Sequence, residues 1–516
     1  MAFAVLFSWL IVAIVLFKRL PLQLAIICTI VGGHLLLPSE TRVAIDLPLL
    51  PQIDKILLPS VAAMLMAMVV MRQNAQTVRH RTPTQDSAPG MVLPGWIPRS
   101  KIGFVLSLML AGGVVMMVLT NSDPVRYPGV YLPGQRPYDI FSQLLYWGVL
   151  FLPMLLGRKF LADTEGHRLL LVVLCLSAFF YSFLALYEVR MSPRLNEILY
   201  GFFPHDWQQH RRGGGWRPIV FLNHGLILGI YMASAVIAAA MLVRISSGSA
   251  KAGYAALLVW LAGALLLGKT LGALILAMIF VPLALLAPVR IQLLVATIVA
   301  GVVILYPMLR GASVVPLNDI VAFFEGVAPD RAGSLAFRFE NEEMLLAHAN
   351  ERPLFGWSGW SRWRVFDPDT GQDITTVDGF WVITIGESGW IGYLARFGLF
   401  CGPLIVFFLR RKRFSVGLPT AGLCLVTAAT LFDLLPNASA TPVFFLTVGA
   451  LLGRLELQSE AAADAAPEVE TQSDRRARPR ARSPEQAPAN PANTPQPVSE
   501  PATRYSRFAP TKRRES

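Results

Sequence analysis

Charged side chains are scarce in this chain. Asp, Glu, Lys and Arg make up 15% of its 516 residues, whereas about a quarter is usual in soluble proteins. Hydrophobic residues account for 54% of the chain, and the mean hydropathy is +0.52. This composition excludes a soluble globular domain and indicates a membrane protein.

Cysteine is also rare, and its placement excludes two further classes of protein. The four cysteines, Cys28, Cys175, Cys401 and Cys424, all fall within apolar runs. Buried cysteine usually behaves as a small hydrophobic residue, and no spacing typical of a disulfide framework or of thiolate metal ligands occurs. The formal charge of +12 belongs partly to loops and partly to the C-terminal region. It therefore gives no reason to expect a nucleic-acid partner.

The chain has instead thirteen apolar runs that are nearly free of charge. A helix rises about 1.5 Å per residue, so about 20 apolar residues cross the roughly 30 Å hydrocarbon core of a bilayer. We therefore predict an all-α polytopic membrane protein with about 12–13 transmembrane helices. No basic segment or cleavage site accompanies the first run, so we expect it to be a span and not a removable signal. The predicted spans are 2–17, 20–37, 56–71, 102–120, 140–157, 169–187, 218–243, 254–268, 270–288, 291–309, 388–409, 414–434 and 442–455.

Positive charge alternates along the connections between these runs. Cytoplasmic loops of membrane proteins carry an excess of Lys and Arg, which predicts a cytoplasmic C-terminus and an N-terminus on the outside. The same rule places two long loops, 188–217 and 310–387, together on the outer face, where we expect the functional site. The basic residues of the cytoplasmic set are Lys18, Arg19, Arg72, Arg79, Arg81, Arg99, Lys101, Arg158, Lys159, Arg168, Arg244, Lys251, Arg290, Arg410, Arg411, Lys412 and Arg413.

The chain divides into a transmembrane domain, 1–456, and a C-terminal tail, 457–516. The tail is rich in Ala, Pro, Glu and Arg and has a basic patch at 475–482. Its apolar content is too low to offset the entropy lost on ordering, so we predict a disordered cytoplasmic tail. The tail either has no catalytic role or contacts anionic lipid or a partner protein.

The first long loop ends in the sequence HRRGGGWRP at 210–218. Its three arginines, Arg211, Arg212 and Arg217, lie on the face where the charge bias disfavours them. Guanidinium groups bind phosphate oxygens two at a time, and glycines let the backbone approach a bulky anion. This segment is either a phosphate-binding site or an exposed basic turn at the level of the lipid headgroups.

The second long loop and its surroundings carry SLAFR at 334–338, PLFGWSGW at 353–360, DGFW at 378–381 and GESGWIG at 386–392. In this order, and with Arg217 and Asn223 near the end of the first loop, these segments resemble the O-antigen ligase and Wzy-type polysaccharide polymerase family. The resemblance covers roughly residues 200–405. Where the family has a His-Asn pair before its conserved Glu-x-Gly-x-x-Gly helix start, this chain has Asp378 and Gly379.

The resemblance implies a reaction in which a glycan passes from an undecaprenyl-diphosphate donor to an acceptor sugar hydroxyl, with inversion and without a metal or cofactor. It implies catalytic roles for Asp378, Arg338 and Arg217. Arginines at the outer surface would also stabilise the charge that develops on the leaving diphosphate. The substrate-binding residues are expected to be Arg211, Arg212, Lys269, Glu387, Arg396, Trp357 and Trp360.

The implied partners are the undecaprenyl-diphosphate-linked oligosaccharide, the acceptor glycan and membrane lipid, with a flippase and a chain-length regulator in the same pathway. The implied location is the bacterial inner membrane, with the active site on the periplasmic face. The aspartate at the family's histidine position favours a polymerase of exopolysaccharide, capsule or O-antigen over an O-antigen ligase. A flippase for lipid-linked oligosaccharides and a scaffold of a cell-envelope complex are further alternatives. A flippase is disfavoured because the spans are almost charge-free and show no internal repeat.

Several candidate residues keep a second interpretation. Lys269 either contacts the diphosphate or reaches the lipid headgroups. Arg396 is either functional or paired with Asp433, because a charge inside a membrane span is costly. His224 is expected to pack inside its helix. Trp357, Trp360 and Trp363 either stack on sugars or belong to an interfacial aromatic belt.

Asp378 also has two interpretations. It is either the group that orients or deprotonates the acceptor hydroxyl, or a cap for the helix that follows it. If it is a cap, Glu387 or His348 would become the candidate base. The nearby pair Asp367 and Asp369 is expected to belong to a turn and not to a metal site.

Overall fold

A computed structural model describes residues 1–43, 51–79, 92–212, 214–312, 314–327, 329–376 and 378–464. Gly213 of the glycine run, Arg81 of the basic set and residues 465–516 of the predicted tail lie outside the described residues. The described chain is mostly helical, and its strands form two short antiparallel pairs.

Within the described residues, thirteen helices follow the predicted apolar runs in order and three more lie in the two predicted long loops. They are α1 Ala2–Arg19, α2 Leu22–Leu36, α3 Leu57–Arg79, α4 Lys101–Leu119, α5 Asp139–Phe160, α6 Thr164–Met191, α7 Leu195–Tyr200, α8 Gly225–Ile245, α9 Gly248–Leu267, α10 Leu271–Leu286, α11 Val289–Gly311, α12 Leu317–Val327, α13 Pro329–Ala349, α14 Phe380–Leu409, α15 Leu418–Asp433 and α16 Pro442–Asp464. Strand β1, Val125–Tyr127, pairs with β2, Val130–Leu132, and β3, Arg211–Arg212, pairs with β4, Gly215–Trp216.

In the described part of the chain, eight helices are long and apolar enough to cross a membrane: α1, α4, α5, α6, α8, α9, α11 and α14. Shorter apolar helices are α2, the segment Leu57–Gln73 of α3, α10 and α15. This is the helix content of a polytopic membrane protein.

The structure differs from the sequence prediction at three kinds of boundary. Helix α16 continues to Asp464, so residues 457–464 of the predicted tail are helical. Helix α14 begins at Phe380, several residues before the predicted span at 388. The two long loops contain secondary structure of their own, with α7, β3 and β4 in the first and α12 and α13 in the second.

Helix α8 is central to the packing of the bundle. In its most apolar window, 83% of the residues are buried, and it packs against α6, α9, α10 and α15. Its many Gly, Ala and Ser residues permit this, because small side chains let neighbouring helices approach closely. At Gly229 an added Cβ would lie 2.5 Å from Thr270 Cγ2. The rigid position of α8 fixes His224, the residue that immediately precedes it.

Helix α14 is broken at Gly389, where φ is +64° and ψ is −173°. Glycine is the residue that adopts this conformation without strain. An added Cβ at Gly389 would also lie 2.3 Å from the carbonyl oxygen of Leu354. The glycines of the sequence GESGWIG therefore include one that is required at a break in the helix.

The turn at 353–358 satisfies backbone groups that this break exposes. The N–H of Trp390 donates to the Pro353 carbonyl at 2.7 Å, and the N–H of Trp357 donates to the Gly386 carbonyl at 2.8 Å. Unpaired backbone groups are costly in apolar surroundings. The two glycine-containing motifs of the second loop therefore form one structural unit.

The hydrogen bonds and ion pairs that join the connections between helices fall into two sets, one for each predicted side of the membrane. Every connection of the first set is predicted to lie outside. Its contacts are Tyr200 Oη to the Leu36 carbonyl at 2.5 Å, Lys55 Nζ to the Phe221 carbonyl at 3.1 Å, Lys269 Nζ to the Arg212 carbonyl at 3.1 Å and Arg352 Nη2 to Asp123 Oδ2 at 2.6 Å.

The second set joins segments that are predicted to be cytoplasmic. Arg158 donates to Glu456 through Nη2 at 2.6 Å and through Nε at 3.1 Å, and both side chains are almost completely buried. Lys159 Nζ donates to the Leu93 carbonyl at 2.8 Å. These contacts fix the ends of α5 and α16 together.

Candidate functional site

Arg338 and Asp378, two of the predicted catalytic residues, form an ion pair. Arg338 lies on α13, and its Nε is 3.1 Å from Asp378 Oδ2. Both side chains are partly exposed, at 27% and 34%. Near Asp378, the N–H of Thr376 donates to Asn341 Oδ1 at 2.7 Å. This bond anchors the approach to α14 on the same helix that carries Arg338.

The turn after α15 also binds Arg338. Arg338 Nη1 donates to the Pro436 carbonyl at 3.1 Å and lies 3.5 Å from Asn437 Oδ1. Asn437 Nδ2 and Ser439 Oγ in turn donate to the Asp433 carboxylate at 2.8 and 2.7 Å. The guanidinium is thus held from two sides, by Asp378 and by a turn that Asp433 organises.

Asp378 does not cap the following helix. The residue at the N-cap of α14 is Gly379, which makes no side-chain cap hydrogen bond. The Asp378 carboxylate is directed to Arg338 instead. This geometry excludes the capping interpretation, because an aspartate cap must accept an N–H from the first turn of the helix.

Glu342 is a site residue that the sequence interpretation missed. It lies one helical turn after Arg338 on α13, is buried, and accepts a hydrogen bond from Tyr306 Oη at 3.1 Å. Burial raises the pKa of Glu342 to about 7, against the opposing effects of the Tyr306 hydrogen bond and of the positive charges of Arg310 and Arg338. The sequence could have indicated Glu342, because it follows Arg338 by four residues, and residues four apart share one face of a helix.

Arg217, from the first loop, is 5% exposed. Its backbone N–H donates to the His210 carbonyl at 2.8 Å, and its Cδ lies where an added Cβ at Gly225 would be only 2.3 Å away. The buried Glu188 carboxylate holds the segment that follows, since it accepts the N–H groups of Ile219 and Val220 at 2.8 and 2.7 Å.

The other basic residues of the first loop form a small hairpin. Arg211 is exposed and Arg212 is half-buried, and they form β3 opposite β4. Lys269 Nζ donates to the Arg212 carbonyl at 3.1 Å and lies 2.3 Å from the position of an added Cβ at Gly215. The hairpin therefore gathers three basic residues beside the predicted phosphate-binding segment.

Three histidines lie together beside Arg217. Ring centroids are 5.6 Å apart for His205 and His210, 4.6 Å for His205 and His224, and 5.2 Å for His210 and His224. The sequence predicted that His224 packs inside its helix, and this prediction is wrong. His224 lies at the N-cap of α8, where its Nδ1 accepts the Leu226 N–H at 3.0 Å. The spacing His205, His210, His224 matches no familiar motif, so only the folded loop reveals the cluster.

Positive charges from both long loops act on the His224 side chain. Burial lowers its pKa to about 3, and the neighbouring histidines and the positive charges of Arg217 and Arg338 act in the same direction. Arg217 belongs to the first loop and Arg338 to the second. The positive charges of Arg217 and Arg338, one from each long loop, therefore both act on the His224 imidazole, and Arg338 is paired with Asp378.

Glu387 and Arg396 lie at the broken helix. Arg396 is 1% exposed, its Nη2 donates to Ser388 Oγ at 2.6 Å, and its Nη1 is 3.9 Å from Glu387 Oε2. Its guanidinium also lies 3.5 Å from the centre of the Trp147 ring. The pairing of Arg396 with Asp433, one alternative from the sequence, is thus replaced by contacts with Ser388, Glu387 and Trp147.

The three candidate sugar-stacking tryptophans differ in accessibility, and Trp363 is buried. Trp357 is buried, with its ring stacked on His348 at 4.3 Å and the Arg352 guanidinium 4.2 Å from the ring centre. Trp360 is 53% exposed. Asp367 belongs to a local turn, since it accepts the N–H groups of the two residues 369 and 370.

Comparison of the sequence with protein-family models and with curated proteins found no match for this chain. The functional conclusion therefore depends on the residues and their geometry.

Proposed function

We propose that the protein is a membrane glycan polymerase that transfers lipid-diphosphate-linked oligosaccharide units to a growing surface polysaccharide. The observation that carries the proposal is the arrangement of Arg338, Asp378 and Arg217. Arg338 Nε lies 3.1 Å from Asp378 Oδ2, and the positive charges of Arg217 and Arg338 both lower the pKa of His224. A diphosphate calls for cationic groups and a hydroxyl for a carboxylate, and the two long loops supply both.

In the proposed reaction the acceptor hydroxyl oxygen attacks the anomeric carbon of the donor. The bond from that carbon to the diphosphate oxygen breaks, and its electron pair leaves with the diphosphate. Asp378 receives the hydroxyl proton as general base. Arg338 orients the carboxylate, and attack from the face opposite the leaving group inverts the anomeric configuration.

The leaving diphosphate is assigned to Arg217 and to the hairpin residues Arg211 and Arg212, with Lys269 beside them. Burial of Arg217 supports this role, because charge-assisted hydrogen bonds are stronger where water is excluded. Trp360 is exposed and is assigned to the sugar. Trp357 is enclosed by its neighbours, so we assign it a positioning role.

The proposed topology has 12–13 spans, an outer N-terminus and a cytoplasmic C-terminus in the bacterial inner membrane. Its support is the sorting of contacts between the helix connections. Contacts such as Arg352 with Asp123 join segments predicted outside, and contacts such as Arg158 with Glu456 join segments predicted inside. On this topology, the arginines, the carboxylate and the histidines lie at the periplasmic face.

A flippase would need ionisable groups that face a transport path near the membrane midplane. The buried Arg396 has fixed local partners in Ser388, Glu387 and Trp147. This arrangement suits a structural support for the broken helix. A ligase would use the same donor chemistry with a different acceptor.

The test is a comparison of lipid-linked intermediates in cells with and without this protein. We expect cells that lack it to lose long polysaccharide and to accumulate the single-unit lipid-diphosphate donor on the periplasmic side. Donor retained on the cytoplasmic side would indicate a flippase. Polymer that remains attached to the lipid diphosphate would indicate a ligase.

A further inference from the structure

The cluster of His205, His210 and His224 has the donor set of a metal site. One ring nitrogen from each residue lies within 4.8 Å of the others. His205 and His210 lie in the first loop, where His210 ends the short 3₁₀ turn Gln208–His210, and His224 lies at the N-cap of α8. Their proximity is therefore a product of tertiary structure and not of local spacing.

His210 provides a second, independent observation. Its side chain is completely buried, and neither ring nitrogen has a hydrogen-bond partner among the described residues. Buried polar groups in folded proteins nearly always have a partner, and an exception calls for an explanation such as an ion or a water molecule. A metal ion bound by one of these nitrogens would supply the partner.

We propose that His205, His210 and His224 bind one divalent transition-metal ion of the Zn²⁺ class. Imidazole ligands suit Zn²⁺, Co²⁺, Ni²⁺ and Cu²⁺, whereas Mg²⁺ and Ca²⁺ prefer oxygen ligands. Three protein ligands leave a coordination position open for water or an anion. The neighbouring Arg212 and Arg217 favour an anion there, because their positive charge disfavours an uncompensated dication.

Ligation needs a small adjustment of the cluster. Metal–nitrogen bonds of about 2.0–2.1 Å bring tetrahedral ligand atoms to about 3.3 Å from one another, so the present spacing must contract. His205 is exposed and free to move inward. His224 must give up the hydrogen bond that its Nδ1 accepts from the Leu226 N–H. If Nδ1 binds the metal, its lone pair is used, and if Nε2 binds the metal, Nδ1 carries the ring proton and cannot accept.

The test is cobalt binding to the full chain, purified without a polyhistidine tag and stripped with a chelator. We expect one Co²⁺ per chain, with the visible absorption of a tetrahedral nitrogen-ligated ion, and displacement by Zn²⁺ but not by Mg²⁺. His210→Ala and His224→Asn should weaken binding by roughly 100-fold or more, beyond what loss of an outer-shell contact produces. Asn at 224 keeps a helix-capping side chain, so it separates loss of the ligand from loss of the cap.

His348→Gln is the matched control, because His348 lies in α13 and stacks on Trp357 outside the cluster. It should bind cobalt as the wild type does. The exposed His205→Ala provides a variant that leaves the buried packing intact and should also lose affinity. Absence of saturable cobalt binding, or equal binding by wild type and all three cluster variants, would overturn the proposal. Because the assay contains no glycan donor, its outcome is independent of the proposed polymerase activity.

Discussion

Arg338 Nε lies 3.1 Å from Asp378 Oδ2. This pair joins α13 to the residue that precedes the N-cap of α14. Because both side chains are partly exposed, the pair contributes little to stability, typically about 0–1 kcal/mol. Its role is positional, since it holds the Arg338 guanidinium against the Asp378 carboxylate.

The role of Asp378 is tested by Asp378→Asn. The amide keeps the shape of the side chain but cannot accept the proton, so we expect polymerisation to fall by about 10²–10⁴-fold while the donor lipid accumulates. Protein level and thermal stability should stay close to wild type, because Asp378 caps no helix. Asp378→His should retain part of the activity, since the polymerase and ligase family that the sequence resembles has an imidazole at this position. Full polymer from Asp378→Asn would exclude the base assignment.

The role of Arg217 at the diphosphate and that of Arg338 at Asp378 are tested by Arg217→Ala and Arg338→Ala. Loss of a charge-assisted contact in a water-poor site is expected to remove about 2–4 kcal/mol of transition-state stabilisation. Lysine should rescue poorly, because it lacks the two-pronged geometry of the guanidinium. Arg364→Ala is the matched control in the same loop, where Arg364 pairs with Asp373 at the surface. Polymer length, measured by gel electrophoresis, should be normal in the control and lost in both test variants.

Glu342 predicts a pH dependence of stability. Its pKa is raised to about 7 in the folded chain, above the value of about 4.3 expected in the unfolded chain. Between these values the folded state holds the proton more tightly, so this group makes the protein less stable as pH rises through the interval. Glu342→Gln should flatten the change in melting temperature across this range. An unchanged pH profile in the variant would show that Glu342 is not the group responsible.

The break at Gly389 predicts that alanine substitutions at two glycines of α14 differ in their effect on stability. Gly389→Ala places a side chain at φ +64° and against Leu354, with a backbone strain of about 1–3 kcal/mol before the clash is counted. Gly402→Ala is the control, because nothing lies within 4 Å of an added Cβ there. We expect a lower melting temperature for Gly389→Ala and an unchanged or slightly higher one for Gly402→Ala. Equal stability of the two variants would contradict the break.

The orientation is tested with reporters that are active only outside the cytoplasm. Fusions after Asp206 and Asp369 should be active, and fusions after Arg81 and Arg411 should be silent, because the charge bias sets the orientation. Activity after Arg411 would reverse the orientation and remove the proposed outer site.

The apolar runs predicted thirteen of the helices in the described chain, and eight of these are long and apolar enough to cross a membrane. The GESG sequence did not reveal that α14 begins earlier and breaks at Gly389, because the break is satisfied by the distant turn at 353–358. Charge and resemblance placed Arg217, Arg338 and Asp378 among the candidates. The histidine cluster could not be found from spacing, because the fold of the first loop and the start of α8 bring its members together.

The most direct test of the central claim is polymerisation by the purified protein in liposomes that contain a lipid-diphosphate-linked oligosaccharide. We expect products that grow by whole repeat units, with one undecaprenyl diphosphate released for each new linkage, and no growth with Arg338→Ala. Intact donor and no released lipid diphosphate, from protein that is folded and correctly inserted, would contradict the account.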